Sequence, residues 1–441
     1  MLAKINPKPL SGTVPAISSK SMAHRIIIAA ALANGVTRVA CDTTCADIDA
    51  RGVTIRCLTA IGAKIDPIEG GFEIHPVLKS LEHGILRALA GATLDCGESG
   101  STLRFMLPVA CALGADATFV GSPRLGERPI APLTDELMAA GCTFQEATGL
   151  PLRTSGRMRA GRFELPGNVS SQYISGLLLA APLLDGDTQI AVTGEIESRP
   201  YIGLTLAVLN AFGVKVGIEE GATPGGLPLT VFTIERQGYR TPGAIAVEGD
   251  WSNAAFWLSA GALGRHSVTV RGVTPSSIQG DRAISAALML FGAKGQRNAR
   301  AATVRPDNIH GIELDVRDIP DLVPALAAVA ACAEGTTRFT GCSRLRIKEC
   351  DRLEAIATEL GKLGANVRVD GDALVIEGRE QLDGGRVNIR NDHRIAMMAA
   401  IAAVRCASPV EIEGAEAVNK SYPLFFEHYR LLGGDVELID E

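Results

Sequence analysis

The chain has 441 residues, of which 46% are hydrophobic, so it is long enough for two packed domains. A net charge of −6 excludes a general nucleic-acid-binding protein, because such proteins carry an excess of Lys and Arg that neutralises phosphates. The start lacks the apolar run of a signal peptide, and no stretch approaches the ~20 apolar residues of a membrane span. We therefore expect a globular, cytoplasmic protein with neither nucleic-acid nor membrane partners.

One short pattern recurs along the chain, an apolar or small residue followed by Gly and a run that leads into a strand. It ends segments of helical periodicity such as 129–140, 201–212, 352–363 and 422–432, so each Gly is predicted to adopt a left-handed C-cap. Spacings of 69 to 79 residues indicate an internal repeat. The six glycines are Gly62, Gly141, Gly213, Gly292, Gly364 and Gly433.

A second set of helices alternates with the first and is apolar on every side, which is typical of buried helices. Its members, in chain order, are 25–33, 103–113, 173–184, 254–263, 322–333 and 394–404. Two helices and β-prone runs per repeat predict an α/β (α+β) fold of six repeated βα units, three in each of two domains.

The domain boundaries follow from the repeats and from a Gly- and Pro-containing stretch near residue 240. We predict one domain over 21–242. The other is predicted over 243–441, with the N-terminal strand of 1–20 added to it.

Basic residues fall at or near the predicted helix starts, where the first-turn N–H groups already carry partial positive charge. Cations at such places imply an anionic ligand with phosphate or carboxylate groups. The eight residues are Lys20, Arg25, Arg104, Arg128, Lys348, Arg352, Arg394 and Lys420.

Three acids accompany these cations. Asp321 and Glu349 are candidates for acid–base chemistry or for charge neutralisation, and Asp392 is predicted to cap its helix. His393 is a candidate proton shuttle or a structural, hydrogen-bonded histidine.

The sequence lacks the motifs of several common nucleotide-binding, hydrolase and metal sites. The sequence has no G-x-x-x-x-G-K-[ST] loop, G-x-S-x-G elbow or H-E-x-x-H pair, and its ten cysteines lack C-x-x-C spacing. We therefore predict no cofactor, no metal and reduced structural thiols.

Nine motifs in one order resemble those of the 5-enolpyruvylshikimate-3-phosphate synthases, and together they span nearly the whole chain. They are SKSMAHR (19–25), GESGSTLRF (97–105), PRLGERPI (123–130), NVSSQYISGLL (168–178), SRPYI (198–202), DIPDL (318–322), KECDRL (348–353), NDHRIAMM (391–398) and NKSYPLFF (419–426). The resemblance implies a two-domain inside-out α/β barrel with the active site in the interdomain cleft. It also implies the substrates phosphoenolpyruvate and shikimate 3-phosphate, and we expect a monomer.

Matching positions imply the binding residues. Those implied for shikimate 3-phosphate are Lys20, Ser21, Arg25, Ser170, Ser171, Gln172, Ser198, Tyr201, Asp321 and Lys348. Those implied for phosphoenolpyruvate are Lys20, Gly100, Arg128, Gln172, Arg352, Arg394 and Lys420.

The resemblance also implies catalytic roles. Asp321 takes the proton of the 5-hydroxyl, Glu349 and Lys420 move protons at the enolpyruvyl methylene, and Lys20 lies near both substrates. The reaction is then an addition followed by an elimination that releases phosphate.

Two positions depart from the family pattern. Ala16 and Ile17 stand in the segment where many relatives have Pro-Gly before Ser-Lys-Ser, and Glu98 stands where relatives commonly have Asn. A carboxylate at Glu98 either repels phosphoenolpyruvate and its analogue glyphosate or pairs with a nearby arginine.

Two alternatives remain at this stage. One is the related transferase that acts on UDP-N-acetylglucosamine, although its reactive cysteine loop is not recognisable here. The other is a non-catalytic anion-binding protein on the same scaffold, since fold alone does not establish activity. The presence of Lys20, Asp321, Glu349 and Lys420 favours an enzyme.

Overall fold

The computed structural model describes residues 1–42, 45, 47–49, 52–77, 91–145 and 149–440. The chain divides into two compact units. The central unit is Lys20–Val247, and the terminal unit combines Met1–Ser19 with Glu248–Glu441. These boundaries differ from the predicted ones at 20/21 and 242/243 by one and five residues.

The described residues form 24 strands and 13 α-helices. The strands β1 to β24 are, in order, Leu2–Asn6, Gly12–Pro15, Thr37–Ala40, Lys64–Ile68, Gly71–His75, Ala92–Asp95, Ala117–Val120, Cys142–Gln145, Leu152–Gly156, Arg162–Pro166, Thr188–Thr193, Gly217–Ala222, Pro228–Ile234, Ala244–Ala246, Val268–Arg271, Lys294–Asn298, Ala301–Arg305, Glu313–Asp315, Thr336–Thr340, Asn366–Asp370, Ala373–Glu377, Gly385–Asn388, Val410–Glu413 and Asp435–Ile439. The helices α1 to α13 are Lys20–Leu32, Val53–Ala60, Gly100–Leu113, Pro123–Glu127, Leu133–Ala139, Ser171–Ala180, Arg199–Ala211, Trp251–Leu263, Ile284–Leu290, Val323–Ala330, Arg352–Lys362, His393–Ala402 and Phe425–Leu431. The described 3-10 helices are Ala181–Leu183, Gly280–Ala283, Pro320–Leu322, Ser343–Ile347, Ala403–Arg405 and Ala415–Lys420.

The strands form six sheets of four strands among the described residues, and every sheet has one parallel and two antiparallel pairings. The central unit holds the orders β14-β3-β5-β4, β6-β7-β9-β8 and β10-β11-β13-β12. The terminal unit holds β16-β17-β15-β2, β18-β19-β21-β20 and β22-β23-β1-β24. The predicted six repeats, three per domain, are confirmed. Within the described residues each sheet is open.

Three strands complete sheets far away in sequence. β14 pairs in parallel with β3, which explains why residues 244–246 belong to the central unit. β2 pairs in parallel with β15, and β1 lies between β23 and β24. The chain therefore leaves the terminal unit after Ser19 and re-enters it at Glu248.

The predicted apolar helices are the buried ones. All eight residues of α10 are buried, and Ser252 is the only residue of α8 that is not. Helix α6 contacts α1 and α3 in the central unit, and α8, α10 and α12 contact one another in the terminal unit. Each unit thus has its own core, mainly of aliphatic side chains.

The six repeat glycines all have positive φ, between 75° and 107°, and each lies two residues after the last residue of α2, α5, α7, α9, α11 or α13. At Gly62, for example, the glycine N–H donates to Thr59 and the next N–H donates to Leu58. This is the Schellman arrangement that satisfies the last carbonyls of a helix, so the predicted C-caps are confirmed.

Two helices are shorter than their sequence patterns predict. α5 begins at Leu133 rather than 129, and α13 begins at Phe425 rather than 422. Pro132 and Pro423 lie inside the two predicted spans. Because the residue before a proline is disfavoured in the helical conformation, each helix begins after its proline. No helix among the described residues is both long and apolar enough to span a membrane.

Candidate active site

The N-terminus of α1 carries an ion pair that the sequence did not predict. Lys20 Nζ lies 2.7 Å from Asp47 Oδ2, and His24 Nε2 lies 3.6 Å from the same oxygen. Burial raises the pKa of Asp47, but the charge of Lys20 opposes burial, and the pKa lies well below its usual range. Asp47 is therefore a carboxylate that pairs with the ammonium of Lys20.

Arg25 is buried in the central unit, with 2% of its surface exposed. Its Nε donates to Thr205 Oγ1 at 2.7 Å, and its two terminal nitrogens donate to the carbonyls of Ser21 and Tyr201 at 2.7 and 3.0 Å. Its Cζ lies 4.9 Å from the ring centre of Phe105. Burial lowers its pKa to about 10. Arg25 therefore ties the start of α1 to the start of α7 and stays charged at neutral pH.

Gln172 at the start of α6 is held by two residues of α3. Arg104 Nη1 donates to Gln172 Oε1 at 2.7 Å, and Gln172 Nε2 donates to Ser101 Oγ at 2.9 Å. Arg104 Nη2 also donates to the carbonyl of Pro129 at 3.2 Å. These contacts fix the amide of Gln172 beside the first turn of α3.

Gly100 is the first residue of α3, and two arginines lie against it. A Cβ built on Gly100 would be 2.7 Å from Arg128 Nη1 and 3.0 Å from Arg104 Nη1, closer than real contacts allow. In the described part of the chain, the buried Nε of Arg128 has no hydrogen-bond acceptor. The N-terminal end of α3, where Ser99 Oγ accepts from the N–H of Thr102, and this guanidinium together make a place suited to an anion.

Three serines lie at helix starts of the central unit. Ser170 caps α6, since its Oγ accepts from the N–H of Gln172 at 3.2 Å, and Ser171 is the first residue of that helix. Ser198 precedes α7 with φ of 55°, a conformation rare for a residue other than Gly. All three side chains are buried. Strained backbone of this kind is concentrated at functional sites.

In the terminal unit, Arg352 is almost fully buried and contacts three carboxylates. Its Nε lies 2.9 Å from Asp392 Oδ2, its Nη1 lies 3.0 Å from Asp321 Oδ1, and its Nη2 lies 2.5 Å from Glu349 Oε2. Burial lowers the pKa of Arg352, but the three carboxylates outweigh burial and raise it above its usual value. The guanidinium thus holds the predicted acids together.

Asp321 forms ion pairs with three cations. Besides Arg352, Lys348 Nζ lies 3.1 Å from Oδ1 and Arg394 Nη2 lies 3.4 Å from Oδ2. Arg394 Nη1 also donates to the Asp321 carbonyl at 3.0 Å. Burial lowers the pKa of Lys348, and the charge of Asp321 opposes that shift.

Asp392 caps α12 as predicted, because its Oδ1 accepts from the N–H of Arg394 at 2.9 Å. Lys420 Nζ donates to the carbonyl of Asn391 at 2.7 Å. Asn391 and Arg390 have φ of 59° and 52°, so the turn before α12 presents its carbonyl through an uncommon backbone conformation. Lys420 therefore lies at the start of the helix that carries Arg394.

Three of the predicted helix-start cations lie a few residues before a helix rather than in its first turn. Arg128 is the C-cap of α4, Lys348 follows the 3-10 helix Ser343–Ile347, and Lys420 is the last residue of the 3-10 helix Ala415–Lys420. They precede the first residues of α5, α11 and α13 by five, four and five residues, which agrees with the prediction that they lie at or near helix starts.

Comparison with known proteins supplies the family. The family model for EPSP synthase (3-phosphoshikimate 1-carboxyvinyltransferase) matches residues 5–429. The chain belongs to the EPSP synthase family. A 3-phosphoshikimate 1-carboxyvinyltransferase of Clostridium kluyveri is 40% identical over 98% of this chain and 97% of its own, and that of Clostridium acetobutylicum is 41% identical with the same coverage.

Solved structures agree with this membership. The EPSP synthase of Acinetobacter baumannii superposes with a TM-score of 0.79 at 27% identity, covering 99% of this chain and 100% of its own. The enolpyruvyl transferase NikO of Streptomyces tendae superposes with a TM-score of 0.75 at 18% identity, covering 99% and 98%, which shows the shared fold. The predicted α/β fold class of the EPSP synthase family is confirmed.

Sequence patterns missed two acids of this EPSP synthase family member. Asp47 lies between Cys45 and a described helix, with no periodic pattern around it. Asp281 is 2% exposed, and its Oδ2 accepts a short hydrogen bond from Ser252. Burial and the charge of Asp321 raise the pKa of Asp281 to about 6. Asp47 precedes α2 and Asp281 lies in the 3-10 helix Gly280–Ala283, and neither belongs to a motif that carries the family resemblance.

The structure places the residues that depart from the family pattern, and it also places the cysteines. Glu98 is exposed and directly precedes Ser99, the N-cap of α3. Ala16 and Ile17 are half-buried and buried in the terminal unit, next to Ser18. All ten cysteines lie in the described part of the chain, where their thiols are buried.

Proposed function

We propose that this chain transfers the 1-carboxyvinyl group of phosphoenolpyruvate to the 5-hydroxyl of shikimate 3-phosphate and releases phosphate, a step of aromatic amino acid biosynthesis. The observation that carries the proposal is the family match across residues 5–429. The anion-binding place at Gly100 and Arg128 and the cation-rich surroundings of Asp321 suit two substrates that both carry phosphate and carboxylate groups.

We assign Lys20, Gly100, Arg128, Gln172, Arg352, Arg394 and Lys420 to phosphoenolpyruvate. We assign Lys20, Ser21, Arg25, Ser170, Ser171, Gln172, Ser198, Tyr201, Asp321 and Lys348 to shikimate 3-phosphate. Some of these residues belong to the central unit and the others to the terminal unit. The buried arginines give charge-assisted contacts that need little reorganisation when the ligand arrives.

The reaction consists of an addition and an elimination. A proton passes to the methylene carbon of phosphoenolpyruvate, and the neighbouring carbon becomes electrophilic. The 5-hydroxyl oxygen then bonds to that carbon and loses its proton to Asp321. In the second step a proton leaves the new methyl group, the double bond re-forms, and the carbon–oxygen bond to phosphate breaks. Glu349 and Lys420 carry the protons at the methyl carbon.

Asp321 is a weak base while three cations surround it, because positive neighbours stabilise the carboxylate. Substrate phosphate or carboxylate groups that engage Lys348 and Arg394 draw those cations away from Asp321. Binding of both substrates therefore raises the basicity of Asp321 at the moment when the hydroxyl must lose its proton. We propose further that the enzyme is cytoplasmic and acts as a monomer. Light scattering of the purified protein tests the monomeric state.

The deciding assay is phosphate release by purified, chelator-treated protein given phosphoenolpyruvate with shikimate 3-phosphate, beside a parallel reaction with UDP-N-acetylglucosamine. Release with the shikimate compound alone supports the proposal. Release with the sugar nucleotide alone moves the assignment to that transferase. Absence of release with either, together with binding of phosphoenolpyruvate, makes the chain a non-catalytic binding protein.

A further inference from the structure

A row of buried hydrogen bonds begins at the N-cap of α3. Thr102 Oγ1 donates to Ser99 Oγ at 2.9 Å, Thr102 Oγ1 and Thr54 Oγ1 are 2.8 Å apart, and Thr54 Oγ1 is 2.7 Å from His24 Nδ1. Thr54 and Thr102 are fully buried, and His24 is 1% exposed. The row joins α3, α2 and α1 through side chains that are shielded from water.

The direction of these hydrogen bonds fixes the tautomer of His24. A hydroxyl group has a single proton, and Thr102 gives its proton to Ser99. Thr54 must then donate to Thr102, so Thr54 Oγ1 can only accept from His24. The imidazole proton therefore lies on Nδ1 of His24. Burial lowers the pKa of His24, which keeps the ring neutral at neutral pH.

The other ring nitrogen then faces Asp47 without a proton. His24 Nε2 is 3.6 Å from Asp47 Oδ2, beyond the length of a hydrogen bond, as expected when a lone pair faces a carboxylate. Lys20 Nζ lies 2.7 Å from the same oxygen. In the part of the chain that the structure describes, the ammonium of Lys20 is thus the one donor within hydrogen-bond distance of that oxygen.

We propose that His24 and Asp47 are positioning residues for Lys20. The hydroxyl row holds the proton of His24 on Nδ1, and Asp47 is thereby reserved for the ammonium of Lys20. The proposal rests on the proposed function, in which Lys20 contacts both substrates. A proton on Nε2 would give Asp47 a second hydrogen-bond donor and weaken its ion pair with Lys20. The ammonium of Lys20, which contacts the substrates in the proposed function, would then be less firmly positioned.

The groups around His24 are few. On its own helix these are the cations Lys20 and Arg25, and from the loop the carboxylate of Asp47. α2 contributes the hydroxyl of Thr54, and α3 contributes the ring of Phe105, which meets the imidazole edge-on at 6.5 Å between centroids. The Cys45 thiol near Asp47 stays protonated because burial raises its pKa to about 12.

The first test measures the tautomer directly in the ligand-free, full-length protein labelled with ¹⁵N-histidine. Two-bond ¹H–¹⁵N correlation at pH 8 distinguishes the two tautomers, and His24→Asn identifies the resonances of His24. We expect the proton on Nδ1 in the parent protein and on Nε2 in Thr54→Val, which removes the acceptor. The matched control is Thr59→Val, an exposed threonine of the same helix, which should keep the parent tautomer. A proton on Nε2 in the parent overturns the proposal.

The second test is kinetic. Thr54→Val should raise the KM for phosphoenolpyruvate about three- to tenfold relative to Thr59→Val, the ratio expected for one net hydrogen bond. A switched tautomer with the same KM as the control overturns the positioning role. Absence of phosphate release from the parent protein would instead reject the proposed function, whereas the tautomer is measured without substrate.

A second pair of variants covers the case in which Thr54→Val does not fold. The amide nitrogen of Asn takes the place of Nδ1, and that of Gln takes the place of Nε2. His24→Asn therefore keeps the donor to Thr54, whereas His24→Gln places a donor against Asp47 in competition with Lys20. We expect a larger KM for phosphoenolpyruvate in His24→Gln than in His24→Asn. Equal values overturn the proposal.

Discussion

Gly100 and Arg128 approach so closely that no side chain fits between them, since a Cβ on Gly100 would be 2.7 Å from Arg128 Nη1 and 2.9 Å from its Cζ. The glycine opens the first turn of α3 to an anion, and the arginine supplies the charge. Gly100→Ala should therefore displace Arg128 and raise the KM for phosphoenolpyruvate about tenfold or more, with a smaller change in the KM for shikimate 3-phosphate. Steady-state kinetics with each substrate varied checks this, and equal changes in both values would contradict it.

Removal of the Arg128 charge should have a related effect. Arg128→Gln loses a charge-assisted contact, so the KM for phosphoenolpyruvate should rise by about ten- to a hundredfold. Arg124→Gln in the same short helix is the matched control, because Arg124 is exposed and pairs with Glu127 at the surface. Saturation by phosphoenolpyruvate that is the same in the two variants would remove Arg128 from the site.

Asp321→Asn should lower kcat by about a hundredfold or more, because a general base is lost, and should change substrate affinity less. Calorimetric binding of shikimate 3-phosphate separates the two effects. Asp318→Asn, an exposed position three residues earlier, is the control and should keep most of the activity. Losses of affinity as large as the loss of kcat would show that Asp321 holds its three cations in place rather than accepting a proton.

Substitution of Arg352 should affect the stability of the fold as well as substrate binding. Arg352 is 1% exposed, and its removal leaves Asp321, Glu349 and Asp392 without their shared cation. Arg352→Gln should lower the free energy of unfolding by about 3–5 kcal/mol, the usual cost of breaking a buried ion pair. Arg368→Gln, whose side chain is exposed, should change it by less than about 0.5 kcal/mol. Urea unfolding of both variants measures the difference, and equal midpoints would contradict the prediction.

Asp281 should make stability depend on pH. Its pKa of about 6 in the folded protein exceeds the value of about 4 in an unfolded chain, so the folded state holds the proton more tightly. The stabilisation is complete below about pH 4 and is lost as pH rises through 6, up to about 3 kcal/mol. Asp281→Asn cannot ionise, so its melting temperature relative to the parent should rise between pH 4 and 7. A constant difference would contradict the raised pKa.

The sequence alone determined the repeat and its helices. Six glycines at the ends of helices and six apolar helices are local patterns, because a C-cap requires only its own turn and a buried helix requires only its own apolar faces. The capping role of Asp392 belongs to the same class, since its partner lies two residues away. The motifs that resemble the EPSP synthases were likewise contiguous in sequence.

Tertiary structure decided how the charges pair. Arg352 meets Asp392, 40 residues later, and Asp321, 31 residues earlier, and the row from Ser99 to His24 joins three helices. Such contacts depend on the distance between atoms in space, which the spacing of residues along the chain does not encode. For the same reason Asp47 and Asp281 had no sequence signal: a carboxylate becomes functional through burial and its neighbours, and only the packed chain creates both.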